Sequence, residues 1–217
     1  MLLLRPPGVY APQGDTSLLS DALAETGVAP GARVLDLCTG SGALALEALR
    51  MGAHEVRAYD TSPWAVLTTR CNAFLRRVPL STRRGGVDEA LGRSFDVVLA
   101  NPPYVPSPDP ELPRRGRARA WDAGPDGRAV LDPLCDRARL LLAPGGTMLL
   151  VHSAMCGTEA TLDRLRRQGL EASVAQRRLQ PFGPVLRGRA DWLEAQGLID
   201  PGQRTEELVV VRGDRSG

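Results

Sequence analysis

An Asn101-Pro102-Pro103-Tyr104 tetrapeptide follows directly on the apolar run Phe95-Asp96-Val97-Val98-Leu99-Ala100. The nitrogen of an amide or an exocyclic amine has a delocalised lone pair, so it attacks a methyl carbon only when held with that lone pair aimed at it. The Asn101 side-chain carbonyl and the Pro102 backbone carbonyl can each accept one hydrogen of an NH₂ group, which fixes its orientation. Proline at 102 and 103 locks φ, so both acceptors are set before the reaction. Tyr104 can offer an aromatic face to a planar group. Asn-Pro alone is also a common turn starter, and its place at the end of a buried strand is what favours the chemical reading.

A second set lies upstream. Asp36 stands near the end of the apolar run Arg33 to Cys38, and Thr39-Gly40-Ser41-Gly42 follows it. Glycines there let backbone N–H groups approach a ligand. Asp60 closes the next apolar run, twenty residues beyond Gly40, a distance at which a carboxylate accepts hydrogen bonds from ribose hydroxyls in nucleoside-binding sheets. Ala45 occupies the third position of a GxGxxG pattern, which disfavours a phosphate cradle and favours an adenosine-containing ligand without phosphates.

The elements that must position these residues alternate as strand and helix, the rhythm of a parallel sheet covered on both faces. Strands are expected at Arg33 to Cys38, Val56 to Asp60, somewhere before or at Gly86-Val87, Phe95 to Ala100 and Thr147 to Val151, with two more near Leu170 to Ala175 and Glu207 to Val211. Helices are expected from Ala43 to about Met51, Pro63 to about Arg76, about Val130 to Leu142, Thr158 to Gln168 and around Ala190 to Gln196. The turn Ala29-Pro30-Gly31 introduces the first strand. Six prolines between Pro102 and Pro113 make that stretch a stiff loop.

The 217 residues suit one domain with extensions, and 43% hydrophobic with 24% charged residues is a globular balance. All 27 cationic side chains are arginine, so a lysine Schiff base or a P-loop lysine is excluded. A net charge of +2 demands neither a nucleic-acid nor a membrane partner. The leucines of Met1 to Arg5 fall far short of a signal core or a span, and a cytoplasmic location is expected. Cys38, Cys71, Cys135 and Cys156 form no CxxC pair, so no metal site and reduced, mostly buried thiols are expected.

These residues resemble the class I S-adenosylmethionine-dependent methyltransferases with an NPPY signature, and more narrowly the protein-glutamine N5-methyltransferases of the HemK/PrmC type that modify translation release factors. Val34 to Gly42 is similar to that family's Asp-Leu-Gly-Thr-Gly-Ser-Gly segment, with Cys38 for a glycine. Asn101 to Val105 matches NPPYV, Tyr10 to Thr16 resembles its Tyr-x-Pro-x-Glu-Asp-Thr lead-in with Gly14 for the glutamate, and Ala120 to Arg128 is similar to the segment beyond the substrate loop. The resemblance implies an α/β fold with a seven-stranded, mostly parallel Rossmann-like sheet and an antiparallel C-terminal strand. It implies a single domain overall, with residues 1–30 a lead-in contributing to the donor pocket and 31–217 the methyltransferase domain.

By that resemblance S-adenosyl-L-methionine is the cofactor, contacted by Tyr10, Asp15, Thr16, Asp36, Thr39, Gly40, Ser41, Gly42, Asp60 and Asn101. Asn101, Pro102, Pro103 and Tyr104 form the catalytic set holding a glutamine amide. A release factor is the implied protein substrate. The layout is that of the compact form without a helical amino-terminal domain, which in some relatives relies on a small activating subunit. Two alternatives stay open: an acceptor that is a nucleic-acid base amine or a small metabolite, and an inactive donor-binding scaffold.

Other residues carry weaker signals. Asp88 stands about two positions from where the family has an acidic residue near the adenine. Arg114, Arg115, Arg117 and Arg119 are either a contact for an acidic surface or RNA, or a solvated loop, and no aromatic residues interleave with them. Trp64 and Trp192 are expected to pack under the helices, while Trp121 is the tryptophan expected near substrate or donor. His54 and His152 are read as structural, with His152 within reach of the cleft.

Overall fold

The computed structural model describes residues 3–28, 30–114 and 116–217. The expectations that rest on Met1, Leu2, Ala29 and Arg115 therefore lie outside the described residues. One seven-stranded sheet organises the chain: β1 (Arg33–Leu37), β2 (Glu55–Asp60), β3 (Leu80–Arg84), β4 (Phe95–Ala100), β5 (Leu142–Ser153), β6 (Glu171–Pro181) and β7 (Thr205–Asp214). Their spatial order is β3-β2-β1-β4-β5-β7-β6. The pairs β1–β2, β2–β3, β1–β4 and β4–β5 are parallel, and β7 runs antiparallel to both neighbours. The expected architecture is thus the observed one.

The helices cover both faces. They are α1 (Gly14–Thr26), α2 (Ala43–Arg50), α3 (Pro63–Arg76), α4 (Leu131–Leu141), α5 (Thr158–Arg167) and the short α6 (Pro184–Gly188) and α7 (Ala190–Ala195). Val34, Leu35, Val98, Leu99, Leu149 and Leu150 on the central strands have no exposed surface, as side chains in a sheet covered on both faces must. Among the described residues no helix is long and apolar enough to cross a membrane.

Strand order reverses at β1, where β2 lies on one side and β4 on the other. A cleft outside the carboxyl ends of these strands is the expected place for a ligand in such sheets. The sequence motifs were read at those same ends.

Several elements differ from expectation. α1 forms inside the lead-in because Leu18, Leu19, Ala22 and Leu23 make one apolar stripe, fully buried in the main core against β5 and the β6–β7 pair. The third strand lies at Leu80–Arg84, ahead of the glycines. β5 begins five residues early, because Gly146 lets the backbone come close to the Phe95 carbonyl at a β-bulge. Trp64 is 65% exposed rather than packed. Ala65, Val66, Thr68, Thr69, Asn72 and Ala73 form the buried face of α3 and turn Trp64 outward.

Between β6 and β7, α6 and α7 build a second, small apolar cluster of Phe182, Leu186, Leu193 and Ile199, against which Trp192 packs instead of against the helices that cover the sheet. Val105 and Met155 join it to the main fold.

Candidate functional site

The bend after β1 is shaped by its backbone. Cys38 sits at φ 59° and Gly40 at φ 55°, the left-handed region, and Gly42 at φ 83° opens α2. A β-carbon on Gly42 would lie 2.8 Å from Thr69 Cγ2, so α3 can pack here only against glycine. Asp36, fully buried, braces the bend: its Oδ2 accepts from Thr39 Oγ1 at 2.5 Å and from the Ala45 N–H at 3.2 Å. Burial pushes its carboxyl up to about 7, with those two hydrogen bonds pulling the other way. Its Oδ1 has no partner among the described residues.

Asp60, at the tip of β2, ties the bend to the next turn. Its Oδ2 accepts from the Gly40 N–H at 3.0 Å and its Oδ1 from the Ser62 N–H at 2.8 Å. Burial raises its pKa, against the lowering effect of those N–H groups and of Arg119.

At the tip of β4 the Asn101 amide donates from Nδ2 to Thr16 Oγ1 at 3.2 Å. That bond ties the NH₂ end of the amide to α1 and leaves Oδ1 as an acceptor without a partner among the described residues. Tyr104 is buried, and its hydroxyl donates to Asp15 Oδ2 at 3.1 Å. The Tyr10 hydroxyl donates to the same oxygen at 2.6 Å, while Asp15 Oδ1 accepts from the Thr16 N–H at 2.5 Å and from Thr16 Oγ1 at 3.2 Å. Burial, then the Asp15 charge, drive the pKa values of both tyrosines far up, so neither hydroxyl serves as a base. Asp15 is the hub that draws the lead-in, α1 and the tetrapeptide together.

The chain beyond the tetrapeptide doubles back on itself. Val105 N–H donates to the Trp121 carbonyl at 2.7 Å and Ala123 N–H to the Val105 carbonyl at 3.0 Å. Arg189 clamps both limbs, donating to the Pro106 carbonyl at 2.9 Å and to Asp122 at 2.6 Å. Cys156 Sγ–H donates to the Tyr104 carbonyl at 3.1 Å. Arg119 returns across the cleft to Thr61 Oγ1 at 2.7 Å, whereas Arg114 and Arg117 are exposed.

These pieces enclose one cavity of about 290 Å³, at the small end of the range for small-molecule sites. Of the residues expected from sequence, Tyr10, Asp15, Gly40, Asp60, Asn101, Pro102, Pro103, Tyr104 and Trp121 line it. Thr16, Asp36, Thr39, Ser41 and Gly42 do not line it; Thr16 holds the Asn101 amide, and Asp36 with Thr39 braces the bend that carries Gly40. Asp88 lies off the cavity, paired with Arg137. His152 is buried within β5 with its Nδ1 on the Ser153 carbonyl at 2.8 Å, and it does not line the cleft.

Sequence reasoning missed Gln180, Glu206 and the Gly183–Leu186 wall, all from the tail. Glu206 fell just outside the expected last strand, and a Pro-Gly-rich stretch hid α6. The acidic Glu206-Glu207 pair opening an otherwise valine-rich strand was the available signal.

Two further lining groups have a buried polar atom with no partner among the described residues: Trp121 Nε1, a donor, and Glu206 Oε2.

A sheet of this order with a cleft of this composition across β1, β2 and β4 defines a class I methyltransferase. Residues 14–102 match the family model described as ribosomal protein L11 methyltransferase. The chain is 30% identical over 180 residues to "Putative protein N5-glutamine methyltransferase MJ0928" of Methanocaldococcus jannaschii, covering 83% of this chain and 90% of that one. It is 38% identical over 185 residues to the release factor glutamine methyltransferase of Deinococcus radiodurans, covering 82% of this chain but only 63% of the longer relative. The solved complex of E. cuniculi Mtq2 with Trm112, which methylates the termination factor eRF1, superimposes with a TM-score of 0.64 at 22% identity over 96% of this chain and 99% of that chain. The chain belongs to the protein-glutamine N5-methyltransferase family of the HemK/release-factor type.

Proposed function

We propose that this chain methylates the side-chain amide nitrogen of a glutamine in a protein, a translation release factor, with S-adenosyl-L-methionine as donor. The observation that supports this most is that one cavity has Asp60 and Gly40 at one end and Asn101 to Tyr104 at the other. The residues present fit the donor: Asp60 offers oxygen lone pairs for ribose hydroxyls, Gly40 offers close backbone approach, and the unpartnered Trp121 indole N–H awaits an acceptor. When bound, the donor supplies an electrophilic methyl on a sulfonium.

In this reading Asn101 Oδ1 and the Pro102 carbonyl each accept one hydrogen of the target NH₂. Thr16 holds the Asn101 amide in that orientation by taking its own NH₂ end, and the two prolines with the Cys156 bond to Tyr104 O keep the frame stiff. Tyr104 and Tyr10, fixed on Asp15, wall the amide slot. Asp36, Thr39, Ser41 and Gly42 act by holding Gly40 and Asp60 in register rather than by touching the donor.

A small partner subunit belongs to the same proposal. Trp64, Leu67, Phe74 and Leu75 are 50 to 81% exposed along α3, next to the edge strand β3. An apolar stripe of that kind on a helix is the surface a partner covers.

The test is radiolabelled donor incubated with a release factor, with and without a Trm112-type subunit, followed by mapping of the label. A single methylated glutamine is expected. Label in nucleic acid or in a small molecule, and none in the factor, would overturn the acceptor assignment; heat on calorimetric titration with donor but no label in any acceptor would leave the donor-binding scaffold, and no heat would overturn the donor assignment itself.

A further inference from the structure

Methylating an amide nitrogen creates a proton that must leave. As the nitrogen–carbon bond forms and the carbon–sulfur pair withdraws to sulfur, positive charge arrives on a nitrogen that still carries both hydrogens. Asn101 Oδ1 and the Pro102 carbonyl, which hold those hydrogens, are amide oxygens and very weak bases. A carboxylate facing the same space is a far better destination.

Three carboxyl groups line the cavity, Asp15, Asp60 and Glu206. Asp15 has both oxygens committed to Tyr10, Tyr104 and Thr16. Asp60 has both on backbone N–H groups at the opposite end. Glu206 differs: its side chain lies on β7 with only 4% of the residue exposed, its Oε1 accepts from Gln180 Nε2 at 3.0 Å, and its Oε2 has no partner among the described residues. Gln180 and Glu206 are cross-strand partners in the β6–β7 ladder, so the carboxyl is held by the sheet rather than by a loop.

We propose that Glu206 is the group that takes the proton from the methylated amide nitrogen, with Gln180 positioning its carboxyl. The N–H pair returns to nitrogen, the proton goes to Oε2, and Glu206 passes it to solvent before the next turnover. The inference rests on the glutamine-amide reading above.

The groups facing Glu206 suit this task. Asp15 on α1 adds negative charge, Ser153 at the end of β5 and Gln180 on β6 offer polar hydrogens, and Tyr10, Tyr104 and Cys156 stay protonated. Burial, opposed by the Gln180 hydrogen bond and reinforced by the Asp15 charge, raises the Glu206 pKa from its ordinary value, the direction that brings a carboxylate base closer to neutral pH.

The test uses the full chain with its protein acceptor, in wild type, Glu206→Gln, Glu206→Asp and Gln180→Leu. Wild type should show a rising acid limb in the single-turnover rate. Glu206→Gln should lose that limb and about a hundredfold or more of rate at pH 7, with donor affinity from calorimetry changed less than about twofold. Glu206→Asp should regain part of the rate. Carboxyl resonances of ¹³C-glutamate-labelled protein should show one group titrating above the ordinary glutamate range, absent in Glu206→Gln. Gln180→Leu removes a donor to the ionised form, so it should move both that resonance and the acid limb to higher pH, which tests the idea even if Glu206→Gln fails to fold. Full activity in Glu206→Gln, or a limb that ignores Gln180→Leu, would overturn the proposal alone. A wild type that methylates no glutamine would overturn the underlying function as well.

Discussion

Replacing Asp15 by asparagine probes the junction on which the cavity is built. The change keeps the shape but turns one acceptor oxygen into an NH₂ donor. Oδ2 receives two tyrosine hydroxyls and Oδ1 receives a backbone N–H and the Thr16 hydroxyl, so the NH₂ must turn toward the tyrosines, whose hydroxyls then accept from it and lose the charged acceptor for their own hydrogens. Hydrogen bonds to a charged acceptor are worth about 1.5–3 kcal/mol each, and two are lost at a site where Asp15 is only 3% exposed, giving about 3–6 kcal/mol. That is a large share of the roughly 5–15 kcal/mol of a whole domain. Urea denaturation of wild type, Asp15→Asn, Tyr10→Phe/Tyr104→Phe and the triple variant measures it as a cycle. In the double-phenylalanine background the asparagine can turn its NH₂ toward the vacated side, so its cost should fall below about 1.5 kcal/mol. Equal cost in both backgrounds, or under about 1 kcal/mol in the wild type, would refute the shared-acceptor account.

Other consequences are equally specific. Gly127 has φ 73°, and a β-carbon there would run into the Tyr104 carbonyl oxygen and lie 2.8 Å from Cys156 Sγ, so Gly127→Ala should cost about 2–5 kcal/mol in denaturation and depress turnover far more than donor affinity. Burial lowers His152 from 6.5 to about 4, so its neutral form gives stability that is present above pH 6.5 and lost as pH falls through 4. Burial raises Asp36 from 3.8 to about 7, so its contribution is present below 3.8 and lost as pH rises through 7. The two trends oppose each other between pH 4 and 6.5, and denaturation should find wild-type stability nearly flat there, rising with pH in Asp36→Asn and falling with pH in His152→Asn. Trp64→Ser with Phe74→Ser should leave melting and donor binding intact, both side chains being exposed, yet abolish co-elution with a Trm112-type subunit; retained co-elution would remove α3 from the interface.

How legible each part was follows from its physics. The central strands declare themselves because burial on both faces demands unbroken apolar runs, and Phe95–Ala100 is found to the residue. Asp60 and the tetrapeptide were legible because strand ends are where a parallel sheet places ligands. α1 was not: it begins at Gly14, its N-cap Gln13 makes no side-chain cap bond, and its signal is a four-residue stripe inside a proline- and glycine-bearing lead-in. β6 alternates half-buried and exposed residues and is rich in arginine, so only its first half reads as a strand. Trp64 misled because size suggests burial, whereas position along α3 decides it. Glu206 and Gln180 acquire meaning only once β6 and β7 pair, a contact no local pattern announces.

The central claim is a division of labour within one cavity, with Asp60 serving the donor and Asn101 the amide. Calorimetric titration of S-adenosyl-L-methionine into Asn101→Ala and Asp60→Ala, side by side, tests it most directly. Asn101→Ala, which transfers no methyl, should bind donor within about threefold of wild type, and Asp60→Ala should bind at least about tenfold more weakly, a loss of about 1.4 kcal/mol. Equal weakening in the two variants, or unchanged binding in Asp60→Ala, would contradict it.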